Sequence, residues 1–269
     1  MQTIFASNRS ALVTGASAGI GLELAKTLAP KVDSLILVAR RVERLEQLRI
    51  DLQSRFPALK IAVEAADLSV SEAVQDLLRR LETRGLDVDV LVNNAGLGES
   101  ELFERSPWAR IEQIVDVNIV AMLWLTRHLL PPMIGRGHGA ILNMGSGAGY
   151  AAMANAAVYT ASKHFVRAFT ESLRAQLVGT GITVSEAAPG PVESEFNQVA
   201  GIEGGEGLFR LSARECAADI IREFEKGSPV IFPGRAYHWL MKMQPLMPRR
   251  LVAAQVAQAA RKMRQRNSV

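Results

Sequence analysis

The sequence predicts an α/β fold: one domain built on a doubly wound parallel sheet, with a helical tail at the C-terminus. Three observations predict it. Short runs rich in Val, Ile, Leu and Ala alternate along the chain with segments of helical period, the pattern of strand–helix–strand units joined by right-handed crossovers. The strand runs are apolar almost throughout, as expected where helices cover both faces of a sheet. A glycine-rich segment, Thr14-Gly-Ala-Ser-Ala-Gly-Ile-Gly21, lies between the first strand and the first helix.

Strands are expected at 11–14, 34–39, 60–65, 88–92, 140–144, 183–187 and 230–232, and helices near 19–29, 42–55, 70–84, 108–134, 155–178 and 212–226. Residues 1–234 form the domain and 235–269 read as an appendage. The chain shows no internal repeat and no low-complexity linker. The glycine-rich stretch 201–207 is expected to be a mobile loop.

The 269 residues suffice for one large domain with a sizeable core, and 48% hydrophobic content fits a folded globule. One cysteine, Cys216, excludes an intrachain disulfide and suits a reducing, cytoplasmic compartment. Its place in the 212–226 helix suggests a buried thiol. The N-terminus has no charged start followed by a long apolar run, so no signal peptide is expected. No uninterrupted apolar stretch reaches the ~18 residues of a membrane span. The net charge of +4 hides an asymmetry. Residues 235–269 carry eight Lys/Arg and no acid, leaving 23 basic against 27 acidic residues in the domain. The positive charge belongs to the tail, and no nucleic-acid partner is expected.

Motifs follow the strand ends in order. Gly15, Gly19 and Gly21 lack β-carbons where a turn must be tight and a phosphate must approach the backbone. With Ser17 and Ile20 they would open a helix whose N–H groups face a pyrophosphate, although a glycine-rich turn can also serve structure alone. After the second strand stand Arg40 and Arg41, where a chain selecting NAD usually has an acid for the ribose 2′-hydroxyl. Guanidinium groups there suit a 2′-phosphate, so the expected cofactor is NADP(H). Both arginines could instead be solvated residues opening a helix. Asp67-Leu68 ends the third strand. Asp67 could bind the adenine amino group, cap the next helix with Ser69, or do both. Asn93-Asn94-Ala95-Gly96 ends the fourth strand and could pass close to a ribose.

Tyr159-Thr-Ala-Ser-Lys163 places a phenol and an ammonium on one helix face. A free tyrosine ionises near ~10, and a nearby cation favours its phenolate, so the pair could be an acid/base centre. Alone the spacing is common. Ser146 lies thirteen positions upstream, at the end of the strand at 140–144.

Together, Thr14–Gly21, Asp67, Asn93–Gly96, Asn118, Ser146, Tyr159, Lys163 and Pro189-Gly190-Pro191-Val192 resemble the short-chain dehydrogenase/reductase family, with its Rossmann fold, over roughly residues 8 to 233. The resemblance implies that Tyr159 is the general acid in carbonyl reduction and the base in alcohol oxidation. It implies that Lys163 lowers the tyrosine pKa and binds the nicotinamide ribose, and that Ser146 polarises the carbonyl. It implies that Asn118 positions a water in a proton relay. It also implies that Pro189, Gly190 and Val192 lie beneath the nicotinamide. Ser194 stands where the family often has threonine. Asn94, Ala95 and Gly96 complete the expected cofactor contacts.

The substrate is expected to be a lipophilic ketone or aldehyde, or the matching alcohol. The residues after Ser146 are small and mostly apolar, as is the expected lid of Phe196, Val199, Ile202, Leu208 and Phe209. The four histidines have no metal-ligand spacing; His138, in a glycine loop, is expected to be solvated. The long helices at 108–134 and 155–178 are apolar enough to pair in a homodimer or homotetramer. The basic tail reads as a helix docked on its own domain, a partner-binding helix, or a peripheral membrane contact. Two alternatives to an enzyme remain: a dinucleotide-sensing protein that has lost catalysis, or a membrane-surface protein acting through its tail.

Overall fold

The computed structural model describes residues 4–5, 9–201, 210–244, 256–258, 260–261 and 264. The strands are β1 (Ser10–Thr14), β2 (Ser34–Ala39), β3 (Lys60–Ala65), β4 (Val90–Asn93), β5 (Gly139–Met144), β6 (Ile182–Ala187), β7 (Val192–Glu193), β8 (Leu211–Ser212) and β9 (Val230–Ile231). The helices are α1 (Gly19–Leu28), α2 (Val42–Arg55), α3 (Ser71–Thr83), α4 (Trp108–Val115), α5 (Ala121–Arg136), α6 (Ala157–Gln176), α7 (Glu195–Val199), α8 (Ala213–Glu225) and α9 (Arg235–Met243).

Seven strands form one sheet in the order β3-β2-β1-β4-β5-β6-β9, and every pairing in it is parallel. Alternate residues along each strand feed opposite cores. Ala11, Val13, Leu35, Leu37, Val90 and Val92 pack with α1, α2 and α8. Leu12, Ile36, Val38, Leu91 and Ile141 pack with α3, α5 and α6. The chain reverses its winding between β1 and β4, and the crevice at the carboxyl ends of these strands is where such sheets take ligands.

Helix 108–136 is continuous, and by length and composition it could cross a bilayer. Here it is a core helix: Ile111, Ile114, Val117, Ala121, Leu125, Leu129 and Met133 are buried. A π-helical turn, Asp116–Val120, interrupts its hydrogen-bond ladder. Such single-turn bulges re-aim side chains and cluster at functional sites.

Two expectations shift. His138 is not solvated: it is half-buried, its Nε2 lies 2.9 Å from the Arg9 guanidinium, and its Nδ1 lies 3.5 Å from Asp89. The strand end buries this charged cluster, so the loop glycines around the histidine do not expose it. Within the appendage, Arg235–Met243 is a helix with Tyr237 and Met241 buried. The loop at 202–207 and the lid positions Ile202, Leu208 and Phe209 lie outside the described residues, as does most of the tail beyond Gln244. Cys216 is fully buried, and desolvation pushes its thiol up to about 12.

Candidate active site

The β1–α1 turn is closed by side chains that leave no space for β-carbons. Gly15 sits at φ +67°, and a β-carbon there would meet Asn94 Nδ2 at 2.9 Å. One on Gly21 would collide with Asn94 Nδ2 and with the Gly15 carbonyl. Asn94 Nδ2 donates to the Thr14 carbonyl at 2.8 Å, and the backbone N–H groups of Asn94 and Ala95 both donate to Thr14 Oγ1 at 2.9 Å. The ends of β1 and β4 are thereby latched together. No side chain caps the N-terminus of α1, and no acid lies in its first turn, so its free N–H groups and partial positive charge suit an anion. The turn thus fits a dinucleotide's pyrophosphate. Ile20 packs against the core beneath it.

Arg41, rather than Arg40, reaches this turn. Its Nε and Nη2 lie 3.3 and 3.2 Å from Ser17 Oγ. Its Nη1 also pairs with Glu195 at 2.8 Å, and Arg44 holds the other oxygen of that carboxylate at 2.5 Å. Hydrogen bonds from the two arginines hold the exposed Glu195 carboxyl below the usual range. Arg40 lies 3.7 Å from Asp67. Burial alone would raise Asp67, but its hydrogen bonds from Ser69 and the nearby Arg40 outweigh it, and its pKa falls. Asp67 thus closes a tight turn onto Ser69, but it does not cap the next helix, whose N-cap is Val70 and has no side-chain hydrogen bond. Leu68 is buried in the core.

At the other half of the crevice, the π-turn brings Asn118 against the β4 exit. Its Oδ1 accepts from Leu97 N at 2.8 Å, and its Nδ2 donates to the Leu97 carbonyl and to Ser162 Oγ, each at 2.9 Å. A β-carbon on Gly96 would lie 3.4 Å from Asn118 Oδ1 and 3.5 Å from Lys163 Nζ, so Asn118, Gly96 and Lys163 share one spot. Ser146 follows β5 and accepts from Ala148 N at 3.1 Å. Tyr159 and Lys163 rise from α6, both buried.

Burial pushes the Tyr159 phenol up, and a hydrogen bond with Ser146 opposes it. Lys163 donates to the Met144 carbonyl at 2.7 Å, and its Nζ lies 5.7 Å from the Tyr159 ring centroid. Desolvation brings Lys163 down to about 8. The expected acidification of the phenol by the lysine is thus not what the site shows: burial raises the phenol, and the Lys163 ammonium is turned to the Met144 carbonyl. Pro189 and Gly190 follow β6, with the Pro189 carbonyl accepting from Gly147 N at 2.9 Å. The Val192 carbonyl accepts from Asn197 Nδ2 at 3.0 Å, and Ser194 Cβ lies 3.1 Å from where a β-carbon on Gly19 would stand. Phe196 tilts over Tyr159 with ring centroids 5.7 Å apart, and Ala148 and Ala156 complete that small apolar cluster.

Sequence reasoning missed Glu186, though a lone acid inside the run Ile182-Thr-Val-Ser-Glu-Ala187 was a visible signal. Its carboxylate is buried; one oxygen accepts from the Tyr150 hydroxyl at 2.7 Å and the other has no hydrogen-bond partner among the described residues. Burial raises it to about 7, against the lowering effects of Tyr150, Arg167 and Lys163, while Glu171 adds to the rise. An acid whose folded pKa is raised contributes stability in full below about 4.5 and loses it as pH climbs through about 7. Lys163 acts in the opposite window: its depressed pKa penalises the fold below about 8, and the penalty fades toward 10.5. Glu186→Gln should therefore become progressively more stable relative to wild type as pH rises from about 4.5 to about 7. Paired thermal melts across that range check it; a constant difference would show that Glu186 does not titrate in this window.

The profile described as short chain dehydrogenase matches residues 9–202. A sulfoacetaldehyde reductase of Chromohalobacter salexigens is 38% identical over 221 residues, covering 78% of this chain and 84% of that protein. Among solved structures, a short-chain dehydrogenase from Sphingobium yanoikuyae in complex with NADPH superposes with TM-score 0.79 at 29% identity, covering 86% of this chain and 91% of the other. A bulky-bulky ketone specific alcohol dehydrogenase from Comamonas testosteroni superposes with TM-score 0.77 at 26% identity, covering 89% and 92%.

Proposed function

This chain belongs to the short-chain dehydrogenase family, and we propose that within it the protein is an NADP(H)-dependent oxidoreductase acting on a lipophilic ketone or aldehyde, or on the matching secondary alcohol. The observation that carries the reading is the convergence of Ser146, Tyr159 and Lys163 at the carboxyl ends of β5 and β6, beside a glycine turn crowded against any side chain.

Gly15, Ser17, Gly19, Gly21, Arg41 and the uncapped start of α1 would hold the phosphates. Asp67, Asn94, Ala95, Gly96, Lys163 and Pro189 to Ser194 would hold the remainder. NADPH rather than NADH is supported by Arg40, Arg41 and Arg44 around the end of β2 and by the NADPH-bound neighbour. When bound, the reduced nicotinamide supplies a hydride; every other task falls to the protein. Ser146 donates a hydrogen bond to the carbonyl oxygen and polarises it. Tyr159 passes its phenolic proton to that oxygen as negative charge develops. A phenol whose pKa is raised by burial is well supplied with that proton at neutral pH. Lys163 replenishes it and, once its charge faces the phenolate, stabilises that form. Asn118, fixed by the π-turn, holds the β4 exit against α6 so that Lys163 keeps its place.

The groups packed on Tyr159 are Ala148, Ala156 and Phe196. These three are apolar, and among the described residues the only charge placed beside the ring is Lys163, 5.7 Å from its centroid and committed to the Met144 carbonyl, which favours an apolar substrate over an anionic one such as sulfoacetaldehyde. In an NADPH-oxidation screen of carbonyl compounds graded in length and polarity, kcat/KM should rise with apolar length by about threefold or more per buried methylene. Turnover of sugars or small acids alone would end the lipophilic assignment. Exposed Trp124 on α5 and Phe165 on α6 support pairing of two copies through those helices.

A further inference from the structure

We propose that Tyr237, delivered by the C-terminal helix α9, is a substrate-positioning residue: its phenol donates a hydrogen bond to a second oxygen of the substrate, a few ångströms from the reacting carbonyl. The inference rests on the reductase reading above and narrows its substrate class to ketones bearing a neutral oxygen acceptor nearby, such as β-keto esters or β-hydroxy ketones.

Tyr237 is 6% exposed. Its ring lies on Gly190, where a β-carbon would meet it at 2.8 Å, and its hydroxyl lies against Gly147, where a β-carbon would collide with it. It therefore covers the seam where Gly147 N–H meets the Pro189 carbonyl. Gly147 directly follows Ser146, and successive Cα atoms are about 3.8 Å apart. The phenol is thus a near neighbour of the serine expected to grip the carbonyl. Tyr159 and Glu186 both contribute to the upward shift of its pKa, after burial, which keeps the hydroxyl protonated as a donor.

The helix that carries it is anchored from several sides. Phe232 stacks edge-on against both Tyr150 (5.1 Å) and Tyr237 (6.3 Å). Gly234 N–H donates to Asp219 at 2.8 Å, and Gln244 donates to the Tyr150 carbonyl at 2.6 Å. Yet no hydrogen bond to the Tyr237 hydroxyl is formed among the described residues. Unlike Glu186 Oε1, this oxygen is not among the fully enclosed polar atoms left without a partner, so it keeps access to a bound molecule. A rigidly held phenol without a protein partner, beside the catalytic hydroxyls, is a donor waiting for a ligand oxygen.

The test uses full-length enzyme and two carbonyl probes of matched chain length, ethyl 3-oxobutanoate and heptan-2-one. Tyr237→Phe keeps the ring on Gly190 and removes only the hydroxyl. The expected result is a fall of about tenfold in the ratio of kcat/KM for the keto ester to kcat/KM for the plain ketone, the size of one hydrogen bond, carried mainly by KM. A merely structural role would lower both values and leave their ratio alone; an unchanged ratio overturns the proposal while the reductase reading stands. If wild type oxidises NADPH with neither probe nor any carbonyl panel, the reductase reading fails. The phenol is then judged by binding: thermal shifts of wild type and Tyr237→Phe with NADP+ and ethyl 3-hydroxybutanoate or heptan-2-ol. Loss of preference for the hydroxy ester in the variant supports the hydrogen bond, and equal shifts in both proteins refute it.

Discussion

Tyr159→Phe is expected to lower kcat for carbonyl reduction by on the order of 10³-fold while NADPH affinity changes by less than about twofold. General acid catalysis is typically worth ~10²–10⁴-fold, and the mutation removes one oxygen from a buried position without altering the ring. Phe196 still tilts against the retained ring, and Ala148 and Ala156 still pack with it, so the fold and cofactor cradle should be undisturbed. Ser146 loses a hydrogen-bond partner but keeps the contact from Ala148 N. Steady-state NADPH oxidation, paired with a fluorescence titration of NADPH, separates the two effects. Near-normal turnover would remove Tyr159 from the proton path. Loss of cofactor binding equal to the loss of rate would give it a structural role instead.

Arg41→Asp is expected to weaken NADPH about 100-fold and NADH less than about threefold. Arg41 and Arg44 already clamp a carboxylate between them, each taking one oxygen of Glu195, so the two guanidinium groups are spaced to share an oxyanion. A 2′-phosphate offers the same fork more charge. Hydrogen bonds to charged groups contribute ~1.5–3 kcal/mol, and an aspartate adds repulsion, so a loss of about 3 kcal/mol, two orders in affinity, follows. Titration of both cofactors reads it directly. Equal weakening of NADH and NADPH would move the discrimination elsewhere, first to Arg40, whose guanidinium sits 3.7 Å from Asp67; Arg40→Asp is the comparison to run beside it.

Most of the architecture was legible because local rules and tertiary structure agree. The apolar runs at 34–39 and 60–65 became β2 and β3 with the expected bounds, and the helical period at 42–55 became α2. What stayed hidden depends on side-chain direction or distant contact. No residue pattern marks the π-turn at Asn118, since it differs from an α-turn only in its hydrogen-bond offset. Arg40 and Arg41 look equivalent on paper; the turn after β2 sends one to Asp67 and the other to Ser17. Glu186 stood in plain view, yet its burial follows only from β6 pairing with both β5 and β9. Tyr237 belonged to a stretch read as an appendage, and its place over Gly147 is fixed by contacts with Phe232 and Gly190, which have no local signature.

The crowding at Gly15 and Gly21 has a bearing on how this enzyme could be redesigned or could drift. Neither position has room for even a methyl group, so the phosphate-facing turn is closed to adaptation by substitution. Arg40, Arg41 and Arg44, by contrast, project half-exposed side chains whose replacement disturbs no core. Any switch of nucleotide preference has only that solvent-facing rim on which to be written.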